Sequence, residues 1–339
     1  MALLEVQDLH VSFATQDGLV RAVRGVSFDV EAGQTLGIVG ESGSGKSVTA
    51  MTILGLSGRA RISGRVLFED RDLIGAPDSV LRWIRGAKIA MIFQDPLSSL
   101  HPYYRVGWQI VEMIRTHDQS ISQQQARRRA ADLLTLVGIP QAASRIDDYP
   151  HQFSGGMRQR VMIAMAMALD PKVLIADEPT TALDVTVQAQ VIEVMRNVQR
   201  EFGTSIIMIT HDLGVIADIA DDVLVMYAGQ VMETAPRREI FYHVHHPYTE
   251  GLLASLPSHG DVRQRLTPIP GSPPSLLADG TPCPFAPRCR YAFDPCFDGK
   301  PPLSPVFSAA DHRSACWLSP DEAGRADQRD QIMGHREVS

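Results

Sequence analysis

The chain has 339 residues, 44% hydrophobic and 21% charged, with a formal net charge of −7; that suffices for one well-packed core or two domains. The acidic balance argues against the broad basic field that a nucleic-acid surface needs, so no nucleic-acid partner is expected. The longest apolar run, VMIAMAMAL, falls far short of the roughly 20 residues that cross a bilayer, and MALLEVQDLH lacks the basic start and apolar block of a signal peptide, so a cytoplasmic location is expected.

The first elements are the alternating patterns LLEVQDLHVSF and VRAVRGVSFDV, two strands divided by the turn TQDG. TLGIVG reads as a buried strand, followed by a glycine-rich turn and the helical run SVTAMTILGL. IAMIF is a further strand, and residues 107–135 are predicted largely helical, with QQQARRRAADLL solvated. The apolar helix RVMIAMAMAL precedes the strand VLIAD. Val187, Val191, Val194, Met195 and Val198 then recur at helical spacing, with Gly203 as the stop. SIIMIT and VLVMYAG complete the strands. Strands alternating with helices imply an α/β fold with a parallel sheet covered on both faces. Beyond about residue 255, proline and glycine become dense and helical periodicity ends, as in a separate loop-rich extension. The last twenty residues carry almost no apolar side chains and are expected to lack regular structure. No internal repeat is visible, so one nucleotide-binding unit is expected.

Gly40, Glu41, Ser42, Gly43, Ser44, Gly45, Lys46 and Ser47 spell GESGSGKS between a strand and a helix and fit G-x-x-x-x-G-K-[ST]. The glycines allow a tight loop whose N–H groups point at phosphate oxygens, and the helix N-terminus adds positive potential. Lys46, one of only four lysines in the chain, supplies charge to the β- and γ-phosphates, and the Ser47 hydroxyl can hold Mg²⁺. A chance match is disfavoured by the strand before and the helix after. In VLIADEP, Asp177 ends a strand and can hold Mg²⁺, while Glu178 can polarise an attacking water. Alone, these would read as solvated acids at a strand end; beside a P-loop they read as catalytic. Ser154, Gly155 and Gly156 open the apolar helix and offer a hydroxyl and bare N–H groups to another phosphate, against the plainer role of an N-cap.

Taken in order, the P-loop, Gln94 after IAMIF, SGGMRQR, IADE, Ala182-Leu183-Asp184 and His211 after SIIMIT resemble the ATP-binding cassette (ABC) ATPases over residues 1 to about 250. The resemblance implies a P-loop NTPase cassette with N-terminal antiparallel strands, as a nucleotide-binding domain at 1–255 with a helical subdomain at about 97–165. A cysteine-containing extension at 256–320 and a tail at 321–339 would follow. It also implies two such domains facing head to tail, with ATP and Mg²⁺ between the P-loop of one and the SGG motif of the other. In that arrangement Gln94 senses Mg²⁺ and the attacking water, Glu178 is the general base, His211 contacts the γ-phosphate and Asp184 lies at the dimer seam. Phe13 falls where the family stacks an aromatic ring on adenine, although a core role in an early strand reads almost as well. Met157 departs from the glutamine that many relatives carry after SGG.

Among uses of such a domain, chromosome-maintenance proteins insert a long coiled coil and translation-type proteins carry two cassettes; this chain has neither, so transport leads. With no membrane span of its own, the chain is expected beneath a membrane partner, docked through DPLSSLHPYYRVGWQI. GIVGESGSGKS, IFQDPLSSLHP and HHPYTEGLLASLP resemble the ATPase subunits of dipeptide/oligopeptide importers, with nickel and glutathione importers as near relatives. Locally, HPYT is also a plain helix start. The implied partners are a second, distinct ATPase subunit, two membrane permease subunits and an extracytoplasmic peptide-binding protein. The implied location is peripheral, on the cytoplasmic face of the plasma membrane.

All four cysteines, Cys283, Cys289, Cys296 and Cys316, lie in the extension. The cytoplasm disfavours disulfides, and a segment poor in apolar residues benefits from a metal staple, so metal binding is expected over four unrelated free thiols. Pro284, Pro287 and Pro295 are expected to keep the backbone out of helix. Four thiolates suit zinc or an iron–sulfur cluster. Their spacings, with five, six and nineteen residues between, fit a short zinc knuckle poorly. The family resemblance points to a 4Fe–4S cluster.

Overall fold

The structure, a computed structural model, describes residues 2–95, 99–181, 183–256, 268–277, 282–307 and 309–337. In chain order its elements begin with strands β1 (Leu4–Thr15), β2 (Gly18–Val30) and β3 (Thr35–Val39), helix α1 (Lys46–Ile53), strands β4 (Arg61–Phe68) and β5 (Arg71–Asp72), helix α2 (Asp78–Ile84) and strand β6 (Ile89–Ile92). Helices α3 (Val106–His117), α4 (Gln123–Leu136), α5 (Ala142–Arg145) and α6 (Gly155–Ala166) come next, then β7 (Val173–Asp177), α7 (Val185–Phe202), β8 (Ser205–Thr210), α8 (Leu213–Ile219), β9 (Asp222–Tyr227) and β10 (Gln230–Pro236). The chain closes with α9 (Arg237–Tyr242), α10 (Pro247–Ala254), α11 (Pro295–Asp298), β11 (Ser304–Val306), β12 (Ala309–Ser314) and α12 (Glu322–Glu337).

Two compact units form from separated stretches of chain. One comprises Met1–Leu4, Val30–Thr35 and Phe68–Ile209; the other comprises Glu5–Asp29, Leu36–Leu67 and Thr210–Ser339. In the first, β6, β7 and β8 run parallel, with Ile89 opposite Val173 and Asp177 opposite Ile209. Every residue of β7 and β8 is buried, the unbroken apolar pattern of a sheet covered on both faces. On α7, Val191, Val194, Met195 and Val198 are buried and Gly203 ends the helix at φ 65°, as the spacing predicts, while Val187 is only half-buried and Ile192 joins the buried face. The stretch predicted helical over 107–135 is two helices. The Asp118 carboxylate accepts from the N–H and hydroxyl of Ser120, an Asx turn that stops α3, and Ser122 with Gln125 forms a capping box that starts α4.

In the second unit, β2, β1 and β4 form one sheet in that order. In the other sheet, β3 runs parallel to β9, and β9 turns at Ala228–Gly229 into antiparallel β10. The extension is more than loop. Its β12 pairs antiparallel with β10, Glu233 facing Ser314, and β11 adds to β12. Pro287 sits in a 3₁₀ turn and Pro295 opens α11, against the expectation that prolines exclude helix here. Proline is tolerated in a first turn, where its missing N–H has no partner to lose. The predicted irregular tail is also corrected over Glu322–Glu337, which is helical. Asp321 accepts from the Gly324 N–H, Arg325 donates to the carbonyls of Val244 and His245, and Arg329 pairs with Glu250. Capping and charge hold this helix where composition offers little apolar burial.

Candidate functional site

The loop after β3 closes tightly on the strands beside it. A Cβ at Gly40 (φ 153°) would stand 2.1 Å from the Met226 carbonyl oxygen, and one at Gly45 (φ 101°) 2.4 Å from that of Ala22. Only glycine fits either place, and the bend leaves α1 starting at Lys46 with its first N–H groups facing the loop. Lys46 is buried, and its Nζ donates to the carbonyls of Gly40 (2.7 Å) and Glu41 (3.0 Å) and lies 3.4 Å from Ser44 Oγ. The result is a tight loop whose carbonyls hold one ammonium, with Ser47 on the first turn of α1. Anionic phosphates suit such a loop. Elsewhere in this unit, Phe13 on β1 keeps part of its ring exposed, unlike the buried Leu9 and Val11 of the same strand. His211 is exposed at the bend after β8, one residue before Asp212 caps α8.

In the other unit, Asp177 is buried at the end of β7, and Glu178 follows with φ 49°, a left-handed conformation that a glutamate rarely adopts. Its N–H donates to the Ile209 carbonyl at 2.8 Å, which holds that conformation. The Glu178 carboxylate accepts from Gln94 Nε2 (3.1 Å) and from the Thr181 hydroxyl (2.8 Å). Gln94 and Glu178, 84 residues apart, therefore meet, and Thr181 joins them without having been singled out from the sequence. Its signal was the i+3 spacing from Glu178. Such a strained, oriented carboxylate beside a buried aspartate can order a water and hard cation ligands. Ser154 caps α6, its hydroxyl accepting from the Met157 N–H at 3.3 Å. Asp184 caps α7 by accepting from the Val187 N–H at 2.9 Å. The two caps adjoin, because a Cβ on Gly156 would strike Val187. Ala182 lies outside the described residues. At the departure from the family pattern, the Met157 sulfur accepts from Arg145, whose guanidinium also stacks on Phe153.

The segment 95–110, expected from the sequence to dock on a membrane partner and with 96–98 outside the described residues, carries exposed Tyr103, Tyr104 and Trp108. Tyr104 stacks on Trp108 with centroids 4.3 Å apart, and both line a groove of about 420 Å³ together with Met113 and Met165.

The four cysteines are near one another. The Cys283 N–H donates to the Cys296 carbonyl at 3.0 Å. Burial pushes the Cys283 thiol up to about 11 and raises Cys296; Cys316 is raised by burial and then by the other three thiols. Yet among the described residues no three His, Cys, Asp or Glu side chains form a group that could hold a metal ion. The expected metal centre at Cys283, Cys289, Cys296 and Cys316 is thus not preassembled. A second polar cluster escaped the sequence altogether. The fully buried Glu233 accepts from the N–H groups of His245 (2.7 Å) and His246 (3.1 Å) and from His312 Nε2 (2.8 Å).

The family profile of the ABC transporters matches residues 23–181, and that of the oligopeptide/dipeptide transporter C-terminal region matches 232–296. The oligopeptide transport ATP-binding protein OppD of Haemophilus influenzae is 48% identical over 94% of this chain and 98% of its own length. The dipeptide transport ATP-binding protein DppD of Bacillus subtilis is 50% identical over 96% and 97%. A solved dimeric bacterial ABC transporter cassette superposes with a TM-score of 0.63 at 25% identity, covering 69% of this chain and 99% of that one. The cbiO1 cassette of Clostridium perfringens superposes with a TM-score of 0.61 at 28% identity, over 71% and 90%.

Proposed function

This chain belongs to the ABC transporter family, as an ATP-binding subunit of the oligopeptide/dipeptide group, and on that premise we propose that it hydrolyses ATP to energise import of di- and oligopeptides. The observation that carries the chemistry is the Glu178 carboxylate, held in a left-handed backbone and oriented by Gln94 and Thr181. Glu178 is the general base, taking the proton of the attacking water. Gly40 to Ser47 bind the phosphates, with Lys46 charging the β- and γ-oxygens. Ser47, Gln94 and Asp177 are hard oxygen donors that would hold Mg²⁺, which neutralises phosphate charge when bound. His211 contacts the γ-phosphate, and Phe13, by its part-exposed ring, stacks on the base. Ser154, Gly155, Gly156 and Asp184 serve the nucleotide of a facing ATPase subunit. The apolar Val185, 82% exposed beside Asp184, suits such a seam.

We assign 1–255 as the nucleotide-binding region, with its helical subdomain at about 97–165, and 256–320 as the extension. The partners are a second, distinct ATPase subunit, two membrane permease subunits and an extracytoplasmic peptide-binding protein. No helix among the described residues is long and apolar enough to cross a membrane. The aromatic groove at Tyr104 and Trp108 supports peripheral docking at the cytoplasmic face of the plasma membrane, with a permease loop as its occupant. For the cysteines, four neighbouring thiols suit either a zinc ion or an iron–sulfur cluster, and their wide spacing in sequence is unlike that of a short zinc knuckle. The family resemblance favours a 4Fe–4S cluster, which takes one cysteine bond on each of its four irons. Cys283, Cys289, Cys296 and Cys316 would hold it, and it would staple the extension.

The test is genetic. A strain lacking the chain should lose uptake of labelled di- and oligopeptides while keeping nickel and glutathione uptake. Intact peptide uptake with lost nickel or glutathione uptake would move the assignment to those importers.

A further inference from the structure

The second residue of the phosphate loop is gripped by the extension. Arg288 lies in the 3₁₀ turn immediately before Cys289, and its side chain is only 6% exposed. Its Nη1 donates to Glu41 Oε2 at 2.6 Å and its Nη2 to Glu41 Oε1 at 3.0 Å, a two-point pair between residues 247 apart in sequence. Nη1 also donates to the Tyr227 hydroxyl (3.1 Å), and Nε to the Pro270 carbonyl (2.8 Å), so the guanidinium is fixed on three sides. The main chain of Glu41 is held as well, its N–H donating to the Tyr248 hydroxyl at 2.8 Å. Tyr248 is fully buried, with its ring 4.6 Å from Tyr227 and 5.3 Å from Phe285.

Two consequences follow for an anion in the loop. A loose Glu41 carboxylate would set a negative charge beside the phosphates, and Arg288 neutralises it and draws it aside. The Glu41 carbonyl in turn accepts from Lys46 Nζ, so fixing Glu41 also fixes the ammonium that meets the phosphates. We propose that Arg288, with Tyr248, is a positioning residue for nucleotide, and that the cysteine-bearing extension thereby sets the ATP affinity of the P-loop. This rests on reading Gly40–Ser47 as the ATP site. Because Cys289 follows Arg288 directly, any bond that anchors its sulfur also steadies the turn from which Arg288 reaches.

The test uses the full chain, with Mg-ATP binding measured by calorimetry and phosphate release measured at saturating ATP. Arg288→Met should weaken ATP binding about tenfold, the scale of one lost charge-assisted hydrogen bond. Its kcat should stay within about twofold, because no transition-state contact is removed. Arg288→Lys should recover only part of the loss, since one ammonium cannot span both carboxylate oxygens. Tyr248→Phe, which keeps the packing, should weaken binding about threefold. In a Glu41→Gln background, Arg288→Met should add little. If Arg288→Met does not fold, Arg288→Lys and Tyr248→Phe decide the matter. Unchanged affinity in both would overturn the proposal, as would an equal loss from Arg288→Met with and without Glu41→Gln. Wild-type chain that binds no ATP, or a Lys46→Ala variant that binds as wild type, would instead bring down the nucleotide reading and this proposal with it.

Discussion

Removing the Glu233 carboxylate should strip the second unit of a buried acceptor that holds three donors. Burial alone would push this carboxyl up, yet the hydrogen bonds from His312 and the His245 main chain hold it below its ordinary value. In Glu233→Ala, two backbone N–H groups and His312 Nε2 lose their acceptor where no side chain is exposed. Each orphaned buried donor costs about 1–3 kcal/mol. Relief of the carboxylate's own desolvation offsets part of that sum, which leaves a net loss of about 3–5 kcal/mol, the usual result of breaking a buried pair. Glu233→Gln should lose about 2–4 kcal/mol, since either amide orientation points an NH₂ at a donor. Urea unfolding supplies the free energy. Native-state hydrogen exchange supplies the location, because the His245 and His246 amides should lose protection by about 10²–10³. Unfolding within about 1 kcal/mol of wild type in Glu233→Ala would refute the reasoning.

Glu178→Gln should retain ATP binding and lose about 10²–10⁴ in turnover, read as nucleotide binding beside phosphate release; near-normal turnover would remove Glu178 as the base. Stability should fall as pH drops. Burial lowers His246 from 6.5 to about 4 and lowers His245 as well. The unfolded chain therefore takes up protons first, and stability that is complete above pH 6.5 declines toward pH 4, by up to about 1.4 kcal/mol per pH unit for each histidine. The lowered Glu233 adds a loss of the same sign below its ordinary value of 4.5. Urea midpoints at pH 7.5, 6 and 5 would show the decline, and His246→Asn, which still offers Tyr248 N–H an acceptor, should flatten it. Protein purified without oxygen should carry iron and sulfide and absorb broadly near about 400 nm. Replacing Cys289 with serine should abolish that colour, and colourless protein with stoichiometric zinc would select the other metal.

Local pattern made most of the nucleotide machinery legible. GESGSGKS needs only near neighbours to specify its turn, because glycine dihedrals and a helix start are short-range properties. VLIAD and SIIMIT declared themselves buried strands through unbroken apolar runs, and Ser154 and Asp184 sat at helix starts, where their side chains cap. Folding decided what depends on distant partners. Nothing in APRC says that Arg288 will meet a loop residue 247 positions earlier, and nothing in VMETAP says that Glu233 will join His245 and His312. The same holds for the last helix, whose composition argued for irregular chain. Its arginines found carbonyls and a carboxylate near α10 that no local window contains. A charged side chain in isolation reads as solvated, because water is its cheapest partner. Only the packed chain shows where a buried counter-charge makes another partner better.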